Sequence, residues 1–146
     1  KRGGTSRENK SFNNLFYDCG EAAIILPNEH NYVDGNVYAK MPGGYLRVMY
    51  PEPEMCLDLE TWQEFCGFDK TGAVCDLAIE VNSDDLTMEI TINQELPLVA
   101  VDQKVRTDYF ANILDGDLTT AGPFHGLTSS KYKFNIDPRK KPGNEG

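Results

Sequence analysis

The stretch FNNLFYDCG at residues 12–20, together with YVDGNVY at residues 32–38, decides which fold this sequence predicts. Each stretch places a short apolar run beside Asn, Asp or Gly, and a similar run follows at residues 45–50. Short apolar runs bounded by turn residues are typical of strands, and no helical periodicity appears before Pro51. The first part of the chain is therefore expected to consist of short strands.

One short helix is predicted after this strand-rich part. Leu59 and Trp62 are spaced so that they lie on one face of a helix. Asp58 is expected to act as the N-cap, where its carboxylate would accept a hydrogen bond from the first turn. Gly67 has no Cβ and suits a left-handed C-terminal cap. Two helical turns are not stable alone, so Trp62 is expected to dock the helix on the rest of the protein.

An antiparallel hairpin is predicted over residues 76–92. Apolar and polar residues alternate at residues 77–82 and again at residues 86–92, and the sequence NSDD at residues 82–85 supplies turn residues between them. This alternation gives the hairpin one apolar and one polar face. A last strand is expected at residues 132–136.

Length and charge exclude several classes of protein. The chain has 146 residues, enough for one domain, and a formal net charge of -9. Because that charge repels phosphate groups, nucleic acid and anionic membrane surfaces are not expected as partners. No apolar run approaches the roughly 20 residues that a membrane helix needs. The chain opens with Lys1 and is interpreted as a segment or a mature product, so its compartment stays open, with a secreted or cell-surface location favoured.

The cysteines and the acidic turns do not predict a metal site. The four cysteines, at positions 19, 56, 66 and 75, lack CxxC spacing, and free thiols are favoured over disulfides. Asp115-Gly116-Asp117 would offer two carboxylates to calcium, but the later ligands of a calcium loop are missing, so a plain turn is favoured. No cofactor is therefore expected, and calcium is the one alternative.

Four motifs, taken in order along the chain, resemble right-handed parallel β-helix proteins that act on polysaccharides. The segments concerned are NNLFYDCG at residues 13–20, DGNVY at 34–38, LETWQ at 59–63 with GFD at 67–69, and DYFAN at 108–112 with AGPF at 121–124. They are similar to the C-terminal portion of pectate-lyase-like carbohydrate-active proteins, of the glycoside hydrolase or polysaccharide lyase type.

This resemblance implies an all-β fold of right-handed parallel β-helix coils, with one short helix and an antiparallel hairpin as a cap. Residues 1–56 would form the terminal coils, 57–137 the cap, and 138–146 a flexible tail. Residues 12–17 would then lie parallel to residues 32–38, with hydrogen-bonded side-chain ladders among Asn13, Asn14, Asn31 and Asn36. A β-sandwich carbohydrate-binding module is the alternative, because the hairpin would fit that fold equally well.

For function, the resemblance implies the C-terminal cap or glycan-contacting part of a protein acting on plant or microbial polysaccharide. Sugar rings stack on aromatic side chains, and polar side chains bind their hydroxyl groups. The side chains predicted to contact carbohydrate are Tyr38, Tyr45, Arg47, Tyr50 and Trp62. An uncovered strand edge would also favour self-association, so a homo-oligomer is a further expectation.

An active glycoside hydrolase or lyase is the enzymatic alternative. Such enzymes generally need two carboxyl groups on either side of the scissile bond. Asp34, paired with Glu29 or Asp69, is the best-placed pair, because turns between short strands project side chains from the scaffold. Solvated or turn-capping carboxylates remain the favoured interpretation of these three residues.

Overall fold

The computed structural model describes residues 7–24, 29–49 and 52–140. In this part of the chain thirteen strands, one α-helix and a short 3₁₀ helix follow one another. Their bounds, in chain order, are β1 Lys10–Phe12, β2 Leu15–Tyr17, β3 Ala23–Ile24, β4 Tyr32–Asp34, β5 Val37–Ala39, β6 Leu46–Val48, β7 Met55–Leu57, α1 Leu59–Cys66, β8 Ala73–Val74, β9 Leu77–Asn82, β10 Thr87–Ile92, β11 Leu98–Ala100, β12 Leu118–Thr120, β13 Lys131–Asn135 and the 3₁₀ helix Pro138–Lys140.

Parallel pairing joins the earliest strands to those that follow. Strand β1 pairs with β4, β2 with β5, and β3 with β6, all in parallel, and β5 pairs on its other side with β8. The register places Leu15 opposite Val37 and Phe16 opposite Tyr38. The parallel arrangement expected for residues 12–17 and 32–38 is therefore present.

The predicted right-handed parallel β-helix is nevertheless wrong. Across residues 7–24, 29–49 and 52–140 the strands form five separate sheets of two or three strands, and none of them closes or continues as a solenoid. The chain reverses direction after β6, which pairs with β7 in antiparallel fashion, and β11–β12 and β9–β10–β13 are antiparallel as well. Sheets this small do not form the alternative β-sandwich either.

The hairpin is confirmed. Strand β9 (Leu77–Asn82) pairs antiparallel with β10 (Thr87–Ile92), and Ile79 lies opposite Ile90. Strand β13 adds to the free side of β10 to make a three-stranded sheet, and it begins one residue earlier than the predicted last strand. The alternating apolar side chains of the hairpin pack into the larger of two cores, with Ile90 and Ile92 buried.

The helix is confirmed, but its N-terminus is capped differently from the prediction. Helix α1 spans Leu59–Cys66, and the Asp58 side chain makes no capping hydrogen bond. Its carboxylate instead accepts a bond of 2.6 Å from the backbone N–H of Gly44. At the other end Gly67 has the predicted left-handed conformation, with φ of 69°, and its N–H donates to the Gln63 carbonyl. Asp58 therefore ties the helix to the preceding loop.

Two cores hold these small sheets together. One surrounds Tyr38 and Trp62, and the other surrounds Val37 and the hairpin. Each core contains residues from the predicted coils, 1–56, and from the predicted cap, 57–137. The boundary between these two parts stays a prediction. Residues 141–146 of the predicted tail lie outside the described part. Among the described helices none is long and apolar enough to cross a membrane.

Candidate functional site

A ladder of side-chain hydrogen bonds runs across the parallel strands into the protein interior. The Asn14 N–H and Nδ2 both donate to Asn36 Oδ1, at 3.0 and 2.9 Å. The Asn36 N–H and Nδ2 donate in the same way to Asp69 Oδ1, at 3.1 and 2.8 Å. Asn9 and Asn31 repeat the arrangement nearby, whereas Asn13 bonds to a backbone carbonyl instead. The ladder prediction is thus confirmed for Asn14, Asn31 and Asn36.

Asp69 ends this ladder and is fully buried, at 0% exposure. Its second oxygen accepts a hydrogen bond of 2.7 Å from the Tyr38 hydroxyl. Burial raises the pKa of Asp69, although the bonds from Tyr38 and Asn36 and the nearby Trp62 indole N–H oppose that rise. That indole N–H meets no acceptor among the described residues in hydrogen-bonding geometry. Asp69 is therefore a structural carboxyl, and the predicted catalytic role does not fit its burial.

The raised pKa of Asp69 predicts a pH-dependent stability. The folded chain holds a proton on this carboxyl at a pH where the unfolded chain, with a pKa of about 3.9, has lost it. The free energy of unfolding therefore falls as pH rises from the unfolded pKa through the folded one. Asp69→Asn should lack this fall, so its stability relative to wild type should increase with pH. Denaturant titrations between about pH 4 and pH 7 measure the difference, and parallel pH profiles of the two proteins would contradict the assignment.

The predicted sugar-contacting side chains lie mostly in the interior. Tyr38 and Trp62 have 0% exposure and Tyr45 has 5%, so all three rings are buried and are poorly placed to stack on a sugar. Arg47 is half-buried and pairs with Glu21 and Glu54. Tyr50 lies outside the described residues.

The two remaining predicted carboxyl groups lie in different surroundings. Glu29 forms a 2.7 Å ion pair with Arg7, and its side chain is only 15% exposed. Asp34 is half-exposed at the end of β4, and its Oδ1 accepts bonds from the backbone N–H and the hydroxyl of Thr71. Asp34 also lines an open cavity.

That cavity is part of a groove around Phe12. It has a volume of about 410 Å³, and two adjoining cavities of about 260 and 340 Å³ share Phe12 as a lining residue. The side chains of the central cavity come from the β1–β4 pair, the turn after Asp69 and the segment after β11. Its lining residues are Lys10, Phe12, Asn13, Asp34, Thr71, Ala100, Val101, Asp102, Gln103 and Lys104. We call the three cavities together the Phe12 groove.

A tight junction places the segment after β11 against the end of β1. Asn13 Nδ2 donates a 2.7 Å bond to the carbonyl of Ala100. Gly35, with φ of +71°, allows this approach, because a Cβ at that position would overlap Asn13 Oδ1 and touch Val99. Asp102 then closes a turn by accepting a 2.7 Å bond from the Lys104 N–H. These contacts bring Asp102 into the lining of the cavity that Asp34 also lines.

The charged groups of the groove keep part of their bonding capacity. Asp34 and Asp102 each have one oxygen fixed by the protein, and among the described residues no donor reaches the other oxygen. Lys10 and Lys104 likewise form no ion pair within residues 7–24, 29–49 and 52–140. Two acceptors and two cationic donors thus face one cavity and are free to bind a polar molecule.

A second cavity, of about 440 Å³, lies beside Tyr45 on another face of the protein. Its lysine, Lys40, pairs with Asp18 at 2.6 Å, and Asp58 Oδ1 accepts a bond from the Gly44 N–H. Because Lys10 and Lys104 form no ion pair among the described residues, the Phe12 groove is the better candidate for a binding site, although it holds none of the predicted aromatic platforms.

Sequence reasoning missed most of this groove. Lys10, Phe12, Asp102 and Lys104 were not predicted as site residues, because nothing local shows that two segments some ninety residues apart meet. The Asn13 side chain bonds a carbonyl 87 positions away. Asp102 follows an apolar run and precedes Lys104 by two residues, and this pattern indicates a turn. The pattern does not show which part of the protein the turn contacts.

All four cysteines are free thiols, as favoured from their spacing. Within the described residues no group of three or more His, Cys, Asp or Glu side chains is arranged to hold a metal ion. The absence of a cofactor stays a prediction.

Comparison with known proteins finds no matching family model, no similar curated protein and no similar solved structure. The site must therefore be interpreted from its own geometry.

Proposed function

We propose that this chain binds polysaccharide in the Phe12 groove. The observation that carries the proposal is that four charged side chains with unused hydrogen-bonding capacity line the Phe12 groove. Sugar hydroxyls both donate and accept hydrogen bonds, so they can bond the open oxygens of Asp34 and Asp102 as well as the ammonium groups of Lys10 and Lys104. Sites for small molecules commonly combine an apolar wall with a few such polar groups, and Phe12 supplies the apolar wall.

The charges of the groove favour neutral sugars. Two carboxylates and two lysines line the cavity, so their formal charges cancel, while the whole chain carries -9. A polyanion such as pectin is repelled at long range by that net charge. The motif resemblance to carbohydrate-active proteins supports a polysaccharide ligand, and the net charge is what favours neutral over anionic ones. Neutral plant or microbial polysaccharides, such as xylan or arabinan, are therefore the proposed ligands.

Calorimetric titration with oligosaccharides of xylan, arabinan and pectin tests this function. The expected result is saturable binding of at least one neutral oligosaccharide, with a Kd of about 1 mM or tighter, and weaker binding of pectin fragments at low salt. Because screening weakens long-range repulsion, added salt should reduce the difference between neutral and anionic sugars. Failure of all three sugars to bind would overturn the proposal.

Hydrolysis is a second candidate function, favoured by the two carboxyl groups that line one cavity. Retaining and inverting glycosidases place such groups about 5–5.5 Å or about 6.5–9.5 Å apart. If the chain hydrolyses glycosidic bonds, Asp34 and Asp102 would act as the acid and base in the groove. Catalysis would be supported if the protein releases reducing ends and if Asp34→Asn loses this activity but still binds oligosaccharide. Binding without any release of reducing ends would indicate a binding module.

A further inference from the structure

Residues 10–24 provide the outermost strand of three different sheets. Strands β1, β2 and β3 each pair on one side only, with β4, β5 and β6. No strand among residues 7–24, 29–49 and 52–140 pairs with the outer edge of β2. An edge strand directs unpaired N–H and C=O groups outward and can template the addition of another strand. The outer edge of β2 is therefore a candidate interaction surface.

The side-chain ladder shows what would fit on this edge. At each step an Asn donates from its N–H and Nδ2 to a side-chain oxygen in the next chain segment inward. Asn36 donates to Asp69 in this way, and Asn14 donates to Asn36. Asn14 Oδ1 occupies the corresponding position at the outer end, and no donor reaches it among the described residues. A third Asn would continue the same geometry.

An aromatic stack beside the ladder repeats at the same register. The Phe16 ring lies on the Tyr38 ring with centroids 5.3 Å apart and an angle of 8° between the planes. Phe16 and Tyr38 are directly opposite each other in the β2–β5 pair, two residues beyond Asn14 and Asn36. Phe16 is only partly buried, so an added strand with an apolar ring at this register would extend the stack.

We propose that the outer edge of β2 binds a further polypeptide strand in parallel, and that this strand carries Asn opposite Asn14 and an aromatic residue opposite Phe16. Main-chain hydrogen bonds would hold the strand, as in other cases of strand addition, and the two side chains would set its register. Antiparallel pairing between two copies about a twofold axis cannot place Asn14 over Asn14 and Phe16 over Phe16 together. The ladder therefore favours a parallel partner strand.

The probe is a synthetic peptide with the sequence of residues 7–18, RENKSFNNLFYD, which carries Asn and Phe at the required spacing. Alternate residues of a parallel strand bond to the same neighbour. Because the backbone groups of Asn14 and Asp18 bond to the β5 side, the amides of Leu15 and Tyr17 are directed outward. The Tyr17 carbonyl accepts only a weak 3.3 Å bond, from Cys19 Sγ. Binding should therefore slow hydrogen exchange at the Leu15 and Tyr17 amides of the protein.

Matched peptides separate this mode from unspecific adhesion. N-methylation of the peptide at its Phe16 removes an amide that faces the protein and should abolish binding, whereas N-methylation at its Leu15 blocks only an outward amide and should be tolerated. Asn14→Ala in the peptide should weaken binding by about three- to tenfold, and Asn13→Ala should leave it unchanged.

Two results would overturn the proposal. One is the absence of added protection at Leu15 and Tyr17, or equal binding affinity of the two peptides in a matched pair. The other is protection of both amides without peptide together with a dimer in light scattering, which would assign the edge to pairing between copies. Glycan binding in the Phe12 groove is measured separately, so its failure would leave this result unaffected.

Discussion

Asn36→Ala is expected to lower the free energy of unfolding by about 3 kcal/mol or more, a large part of the stability of a typical domain. Asn36 has 0% exposure and connects two layers of the ladder. Its removal leaves the Asn14 N–H without an acceptor and withdraws one of the donors that bind the buried Asp69 carboxyl. Denaturant titration measures the loss.

Asn14→Ala is the matched control for this prediction. It removes the same amide group one layer further out, where Asn14 is exposed and water replaces the lost bonds. The Asn14 backbone N–H still reaches Asn36 Oδ1. The expected loss is therefore about 1 kcal/mol or less. Equal losses in the two variants would show that the buried ladder does not contribute the stability assigned to it.

Asp34→Asn is expected to weaken oligosaccharide binding by about tenfold or more, because hydrogen bonds to a charged acceptor are stronger than those to a neutral one. The substitution keeps an oxygen that can accept from Thr71, so the end of β4 should retain its geometry. It changes the second oxygen, which faces the groove, into an amide donor. Calorimetric titration with the best neutral oligosaccharide measures the change in Kd.

Asp85→Asn is the matched control for the groove variant. Asp85 Oδ1 accepts from the N–H and the hydroxyl of Thr87, just as Asp34 accepts from Thr71, but it lies in the hairpin turn. Both substitutions remove one negative charge and alter one such turn. A similar loss of affinity in Asp85→Asn would show that net charge, and not contact with the sugar, explains the result.

Local patterns predicted the local elements of this fold correctly. The alternation at residues 77–92 is sufficient for a hairpin, because one face of the pair must be buried and the other solvated. Trp62 and Gly67 identified the helix for a similar reason, since helix spacing and a left-handed cap are visible over a few residues. The parallel pair and the ladder at Asn14 and Asn36 are also present, but they were expected from the motif resemblance and not from a local pattern alone.

Global properties could not be predicted in this way. Nothing in residues 12–38 determines how far parallel pairing continues. Strand β6 is followed by an antiparallel partner, β7, whereas β5 still pairs in parallel with β8. Tyr38 was expected to contact sugar because aromatic rings stack on sugar rings, yet its ring is buried between Phe16 and Tyr45. Asp102 reaches the groove only through tertiary contacts of the Asn13 side chain and the Gly35 backbone.

Backbone amide shifts during titration with a neutral oligosaccharide test the Phe12 groove most directly. If the sugar binds there, saturable shifts should concentrate at residues 10–13, 34 and 100–104, and Asp34→Asn should reduce them at equal sugar concentration. Shifts that instead centre on Lys40 and Tyr45, around the second cavity, would contradict the assignment of the site. An unchanged spectrum at saturating sugar would contradict glycan binding itself.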